Sequence, residues 1–210
     1  MAIASVDLGG PLSGYTYGGA DAVCIDDRRG PVIDGTPLEL PGDGSYHAIG
    51  LAADWNVQPR GIRRSGIHSA DYQRIGESIV SAAGVDPAGG DVVEVLRSDL
   101  DGDGVEEVFV TFEKITDGGG APGDFVVIYA RYPTAGGRVV DQALFEYYPQ
   151  AWTSRPSIGR AGVLAIADLN GDGILEVVLW SKFWDTSLAE VFVYDGATSL
   201  TSVSVSGCSL

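Results

Sequence analysis

Along the second half of the chain, short runs of apolar, β-branched and aromatic residues are broken at regular intervals by turns rich in glycine and aspartate. Such runs, bounded by turn signals, predict β-strands. They fall at 92–96, 108–112, 124–132 and 138–148, and again at 162–167, 177–181, 188–196 and 200–206. Each set of four reads as a meander, the size of a propeller blade or a similar sheet repeat. The first set carries an extra glycine-rich stretch, DGGGAPG at 117–123, which is a hairpin insertion of small cost.

Between residues 69 and 83 the period changes. Tyr72, Ile75, Ile79 and Ala83 fall on one helical face, Ser69 is placed to cap, Asp71 suits the first turn and Gly84 ends it. One amphipathic helix is expected there. Residues 1–60 are turn-rich and poorly periodic. Within them, AADWN at 52–56 can be laid over IADLN at 166–170, although Gln58 and Pro59 then stand where the third acid and its glycine should be. The expected organisation is a turn-rich segment over 1–68 that admits a degenerate repeat, a helix and linker over 69–90, and sheet repeats over 91–150 and 151–210. The fold class is mainly β: tandem four-stranded antiparallel repeats in a partial, propeller-like array, with one amphipathic helix in the N-terminal half.

Composition narrows the function. A chain of 210 residues with 45% hydrophobic content can bury the core of one domain or one repeat array. Its 30 glycines and 10 prolines favour a turn-rich β protein over a helical one. The net charge of −16 argues against nucleic acid as a partner, because phosphate binding needs a clustered basic surface. The only basic run, PRGIRRSG with Arg60, Arg63 and Arg64, reads as a solvated loop or as an internal partner for the acidic excess. No apolar stretch approaches a membrane span. The first residues lack the basic and apolar regions of a signal peptide, as expected of a mature chain with a start Met or of a cytoplasmic protein.

The candidate chemistry lies in two loops. RSDLDGDGVEEVFV places Asp99, Asp101 and Asp103 on alternate residues, and IADLNGDGILEVVLW repeats the pattern with Asp168, Asn170 and Asp172 (168 minus 99 is an offset of 69 residues). Crowded carboxylates repel unless a cation or water takes up the charge. Hard Ca²⁺ takes six to eight oxygens, and a loop offering side chains at positions 1, 3, 5 and 9 with a carbonyl at 7 can wrap one ion. In the first loop these are Asp99, Asp101, Asp103, the carbonyl of Val105, and Glu107. In the second they are Asp168, Asn170, Asp172, the carbonyl of Ile174, and Glu176. Val105 and Ile174 are expected to point into the sheet while their carbonyls face the ion. Neither loop is an EF-hand, because position 12 is Val110 or Leu179 and a strand follows.

These DxDxDGxxE and DxNxDGxxE loops, each between two strands of a four-stranded repeat, resemble the FG-GAP/VCBS repeats of integrin-α-like propellers and many bacterial extracellular proteins. The resemblance covers roughly residues 92–207, and residues 1–90 lie outside it. The FG and GAP signatures are not evident, and two copies are too few to close a seven-bladed ring. The resemblance implies two structural Ca²⁺ sites, an extracellular or periplasmic setting, and a protein or glycan ligand for a non-catalytic binding or adhesion module.

An enzyme has less behind it. No GxSxG elbow, HExxH, P-loop or helix-opening GxGxxG is present. His47 and His68 are the only histidines and read as structural or surface residues. Trp55, Trp152, Trp180 and Trp184 offer aromatic platforms or core, with core favoured for Trp180. A hydrolase or lyase on a propeller-like scaffold remains the alternative, and it needs a cleft that gathers titratable groups other than the metal ligands. Cys24 and Cys208, near opposite ends, admit one disulfide or two free thiols.

Overall fold

The structure is a computed structural model that describes residues 2–4, 16–23, 29–34, 49–51, 53–116, 120–149, 160–183, 186–196 and 199–209, with side chains described only between residues 49 and 205. Cys24, His47, Trp152 and Trp184, and the side chain of Cys208, lie outside the described residues, and the disulfide expectation with them.

Four short strands come first: β1 (Ala2–Ala4), β2 (Thr16–Val23), β3 (Arg29–Asp34) and β4 (Ile49–Leu51). β1 pairs antiparallel with β4, and β2 with β3. A two-residue strand, β5 (Arg63–Arg64), precedes helix α1 (Ala70–Ala82). Then come β6 (Asp91–Ser98), β7 (Glu107–Lys114), β8 (Phe125–Pro133) and β9 (Val139–Tyr147). The second set is β10 (Arg160–Ala167), β11 (Glu176–Lys182), β12 (Thr186–Tyr194) and β13 (Leu200–Ser209). Both sets are antiparallel meanders, and β5 adds an edge to the first, giving sheets in the order β5-β6-β7-β8-β9 and β10-β11-β12-β13. The protein is therefore mainly β, with one helix among the described residues.

Alternation decides what each sheet covers. Phe109, Ile128, Tyr132 and Leu96 of the first sheet meet Val163, Ile166, Leu179, Phe192 and Tyr194 of the second in one buried cluster, so the two meanders stack face to face. Tyr132 and Tyr194 meet edge to face in this layer, ring centroids 5.6 Å apart. The opposite face of the first sheet, with Val95, Val110, Phe112, Phe125 and Tyr129, is covered by α1 through Tyr72, Ile75, Ile79 and Val80. The outer face of the second sheet packs Leu164, Ala165 and Val178 with Ile49, Trp180 and Val191.

The helix differs from its sequence pattern at two points. Ala83 is the exposed C-cap rather than part of the buried face, and Gly76 with Val80 completes that face instead. A Cβ at Gly76 would stand 2.5 Å from the Phe112 ring, so the helix packs at a distance that only glycine permits. Ser69 occupies the N-cap but makes no side-chain cap hydrogen bond, and Gly84 follows the helix at φ 79°.

Candidate metal centre

Both acidic loops close a hairpin at the same register. Ser98 pairs with Glu107 across β6 and β7, and Ala167 with Glu176 across β10 and β11, so eight residues are looped out in each case. The internal hydrogen bonds also match. The two oxygens of Asp99 accept the N–H groups of Gly102 (2.7 Å) and Gly104 (3.0 Å), and those of Asp168 accept from Gly171 (2.6 Å) and Gly173 (3.0 Å). Asp101 accepts from Asp103 N–H at 3.2 Å, and Asn170 Oδ1 from Asp172 N–H at 2.8 Å. Asp103 accepts from Val105 at 2.7 Å, and Asp172 from Ile174 at 2.8 Å. Glu107 Oε2 takes the N–H of Leu100 at 2.8 Å, and Glu176 Oε2 that of Leu169 at 2.7 Å. The glycines at positions 4 and 6 of both loops hold φ between 83° and 88°, a left-handed backbone that lets successive N–H groups turn inward.

One carboxylate oxygen from each of Asp99, Asp101 and Asp103 lies within 4.8 Å of the other two, a group that could hold a metal ion. The fourth acid, Glu107, is 1% exposed. Burial first, then the neighbouring charges of Asp101 and Asp103, push its carboxyl up to about 7, against the backbone hydrogen bonds that favour its ionised form. Glu176, 2% exposed, is raised for the same reasons, burial leading and Asp172 and Asp168 following. A divalent cation at this place would favour the ionised carboxylates and reverse the shifts. The donor set is oxygen throughout, with no thiolate or imidazole, so it fits a hard ion such as Ca²⁺ rather than zinc or copper.

The loops differ where their sequences do. Asn170 donates from Nδ2 to Asp172 Oδ2 (3.0 Å) and to Glu176 Oε1 (3.1 Å), an internal bridge that Asp101 cannot make. The expected inward packing at position 7 holds for one loop only. Ile174 is half-buried against the core between the sheets, whereas Val105 is 46% exposed. The reason is placement: Ile174 lies between groups bound to the first loop, and Val105 has no such cover among the described residues.

That placement comes from a segment the motifs do not mark. Residues 53–61 cross both loops as irregular chain. Trp55 Nε1 donates to the carbonyl of Asp168 at 3.0 Å, and its ring lies 3.2 Å from where a Cβ of Gly171 would sit. The N–H of Asp168 donates to the carbonyl of Val57 at 2.8 Å. Arg60 donates to the carbonyls of Asp99 (2.5 Å), Leu100 (2.5 Å) and Gly173 (2.6 Å), so it touches both loops. The rest of the basic run serves as an internal partner for acids: Arg63 pairs with Glu106 and Arg64 with Glu94.

Away from the loops, an open cleft of about 590 Å³ is lined by Ile67, His68, Ser69, Gln73, Asp91 and Val93 among others, at the start of α1. No helix among the described residues is long and apolar enough to cross a membrane. Comparison of the chain with protein-family models, curated proteins and solved structures finds no match.

Proposed function

We propose that the chain is a calcium-binding, non-catalytic binding or adhesion module of the FG-GAP/VCBS kind, acting outside the cytoplasm on a protein or glycan ligand. One observation carries the reading: two loops 69 residues apart share the same closing register and the same set of backbone N–H to side-chain hydrogen bonds, and each gathers side-chain oxygens at positions 1, 3, 5 and 9. In this reading Asp99, Asp101, Asp103, Glu107 and the carbonyl of Val105 hold one Ca²⁺. Asp168, Asn170, Asp172, Glu176 and the carbonyl of Ile174 hold the other. The ions tie adjacent strands rather than serve chemistry, and extracellular calcium at millimolar level keeps such loops filled. Calorimetric titration of metal-stripped protein with CaCl₂ tests this directly. Two ions per chain are expected, and no binding up to several millimolar would overturn it.

The cleft beside α1 favours one second reading, a hydrolase or lyase on the same scaffold, because His68 and Asp91 share it and neither belongs to the loops. Turnover of a glycan or peptide that survives chelation and is lost in both His68→Ala and Asp91→Asn would favour that reading over the first.

A further inference from the structure

Arg60 and the two loops form one hydrogen-bonded unit. Its Nε holds the carbonyl of Asp99, and its Nη2 holds those of Leu100 and Gly173. The carbonyl of Leu100 also accepts the N–H of Leu175 at 2.8 Å. Gly173 and Leu175 flank Ile174, whose carbonyl is the main-chain ligand of the second loop. That carbonyl is therefore bracketed by two groups anchored to the first loop. The coupling also runs through the first ligand position of each loop. Arg60 grips the carbonyl of Asp99, while Val57 and Trp55, a few residues earlier on the same segment, fix the N–H and carbonyl of Asp168.

A guanidinium is a planar, pre-organised fork, so carbonyls bound to one fork do not shift independently. Filling either loop fixes its backbone and, through Arg60, fixes the segment that positions the other. The second ion then meets a loop whose ordering cost has already been met, which is positive coupling. Repulsion between the two cations works against this and is only partly screened, so the titration below reads the net of the two effects.

We propose that Arg60 is a shared positioning residue for both loops and that it makes the two calcium ions bind as a positively coupled pair. This rests on the calcium reading above. Coupling must be reciprocal: each ion raises the affinity for the other by the same factor, about 5-fold or more for a typical coupled pair.

Calorimetric titration with CaCl₂ of the wild type, Asp103→Ala and Asp172→Ala tests it. With one loop disabled, the other should lose about 5-fold or more in affinity, equally in both directions. In the Arg60→Ala background, disabling one loop should cost the other clearly less than in the wild type, the direct Leu175–Leu100 hydrogen bond carrying what remains. Arg60→Lys, which keeps the charge but not the fork, should retain only part of the coupling. A surviving loop that binds as tightly alone as in the wild type, or more tightly, overturns the proposal. That comparison needs no change at Arg60, so it decides even if Arg60→Ala does not fold. Absence of calcium binding in the wild type would overturn the calcium reading itself, a result distinct from two independent sites.

Discussion

Asn170 donates from Nδ2 to Glu176 Oε1 at 3.1 Å, and its counterpart Asp101 has no hydrogen to give Glu107. The second loop thus holds its acids together with a neutral donor, whereas the first leaves four carboxylates to repel one another. In chelator, Asp101→Asn should stabilise the protein by about 1 kcal/mol, the usual worth of one added hydrogen bond. It should also weaken calcium binding at the first loop, because a charged ligand is lost. Asn170→Asp should do the reverse at the second. Melting temperatures in chelator, paired with calorimetric titration, check both halves, and unchanged affinities in both variants would sink the charge argument.

Calcium should raise the melting temperature strongly. At free Ca²⁺ about 100 times Kd each site adds roughly 2.7 kcal/mol, before any coupling between them. Two sites then add about 5 kcal/mol, or roughly 10–20 °C for a chain of this size. Asp103→Ala or Asp172→Ala disables one site and should remove at least half of that gain. Thermal melts with chelator and with millimolar calcium measure it, and indifference to both would leave the crowded aspartates without a role.

Gly76→Ala should destabilise the protein although alanine is the better helix former by about 1 kcal/mol. The added Cβ meets the Phe112 ring at 2.5 Å, and overpacking of this kind costs about 1–3 kcal/mol. A net loss of about 1 kcal/mol in urea unfolding, with an unchanged m-value, is expected. A gain would mean that the helix can move off the sheet at little cost.

Burial raises the carboxyl of Glu113 above its ordinary value, and Arg160 only partly opposes this. The folded state therefore holds the proton more tightly than the unfolded state. Its contribution to stability is complete below the unfolded value of 4.5 and is lost as pH rises through the raised folded value. Glu113→Gln, neutral at every pH, should match the wild type near pH 4 and melt above it near pH 8. Parallel melts of variant and wild type across that range in chelator check the direction, and a variant that melts no higher than the wild type at pH 8 would contradict it.

Much of this arrangement is legible in the sequence because it is local. The strands around both loops follow from short apolar runs, and alternate acids with glycine at position 6 define each loop within nine residues. The clasp is not legible, since Arg60 binds main-chain carbonyls as far as 113 residues away, and a carbonyl looks the same in every residue. Arg60 stood out in the sequence only as part of a basic run. Gly76 was silent for a related reason: a gap in an apolar stripe does not reveal that an aromatic ring fills it. The unequal burial of Val105 and Ile174 likewise depends on which loop faces the other, a tertiary fact that two nearly identical motifs cannot encode.

The acceptors of Arg60 also impose an order of events on a chain made from its N-terminus. Each acidic hairpin joins neighbouring strands, so it can close as soon as its own residues are available. Arg60 is synthesised before either hairpin, yet one of its three acceptors belongs to Gly173. The clasp is made early and closed late. A nascent chain halted before residue 173 can form the first hairpin and dock Arg60 on Asp99 and Leu100, but it leaves the fork half-engaged and ready for the second repeat.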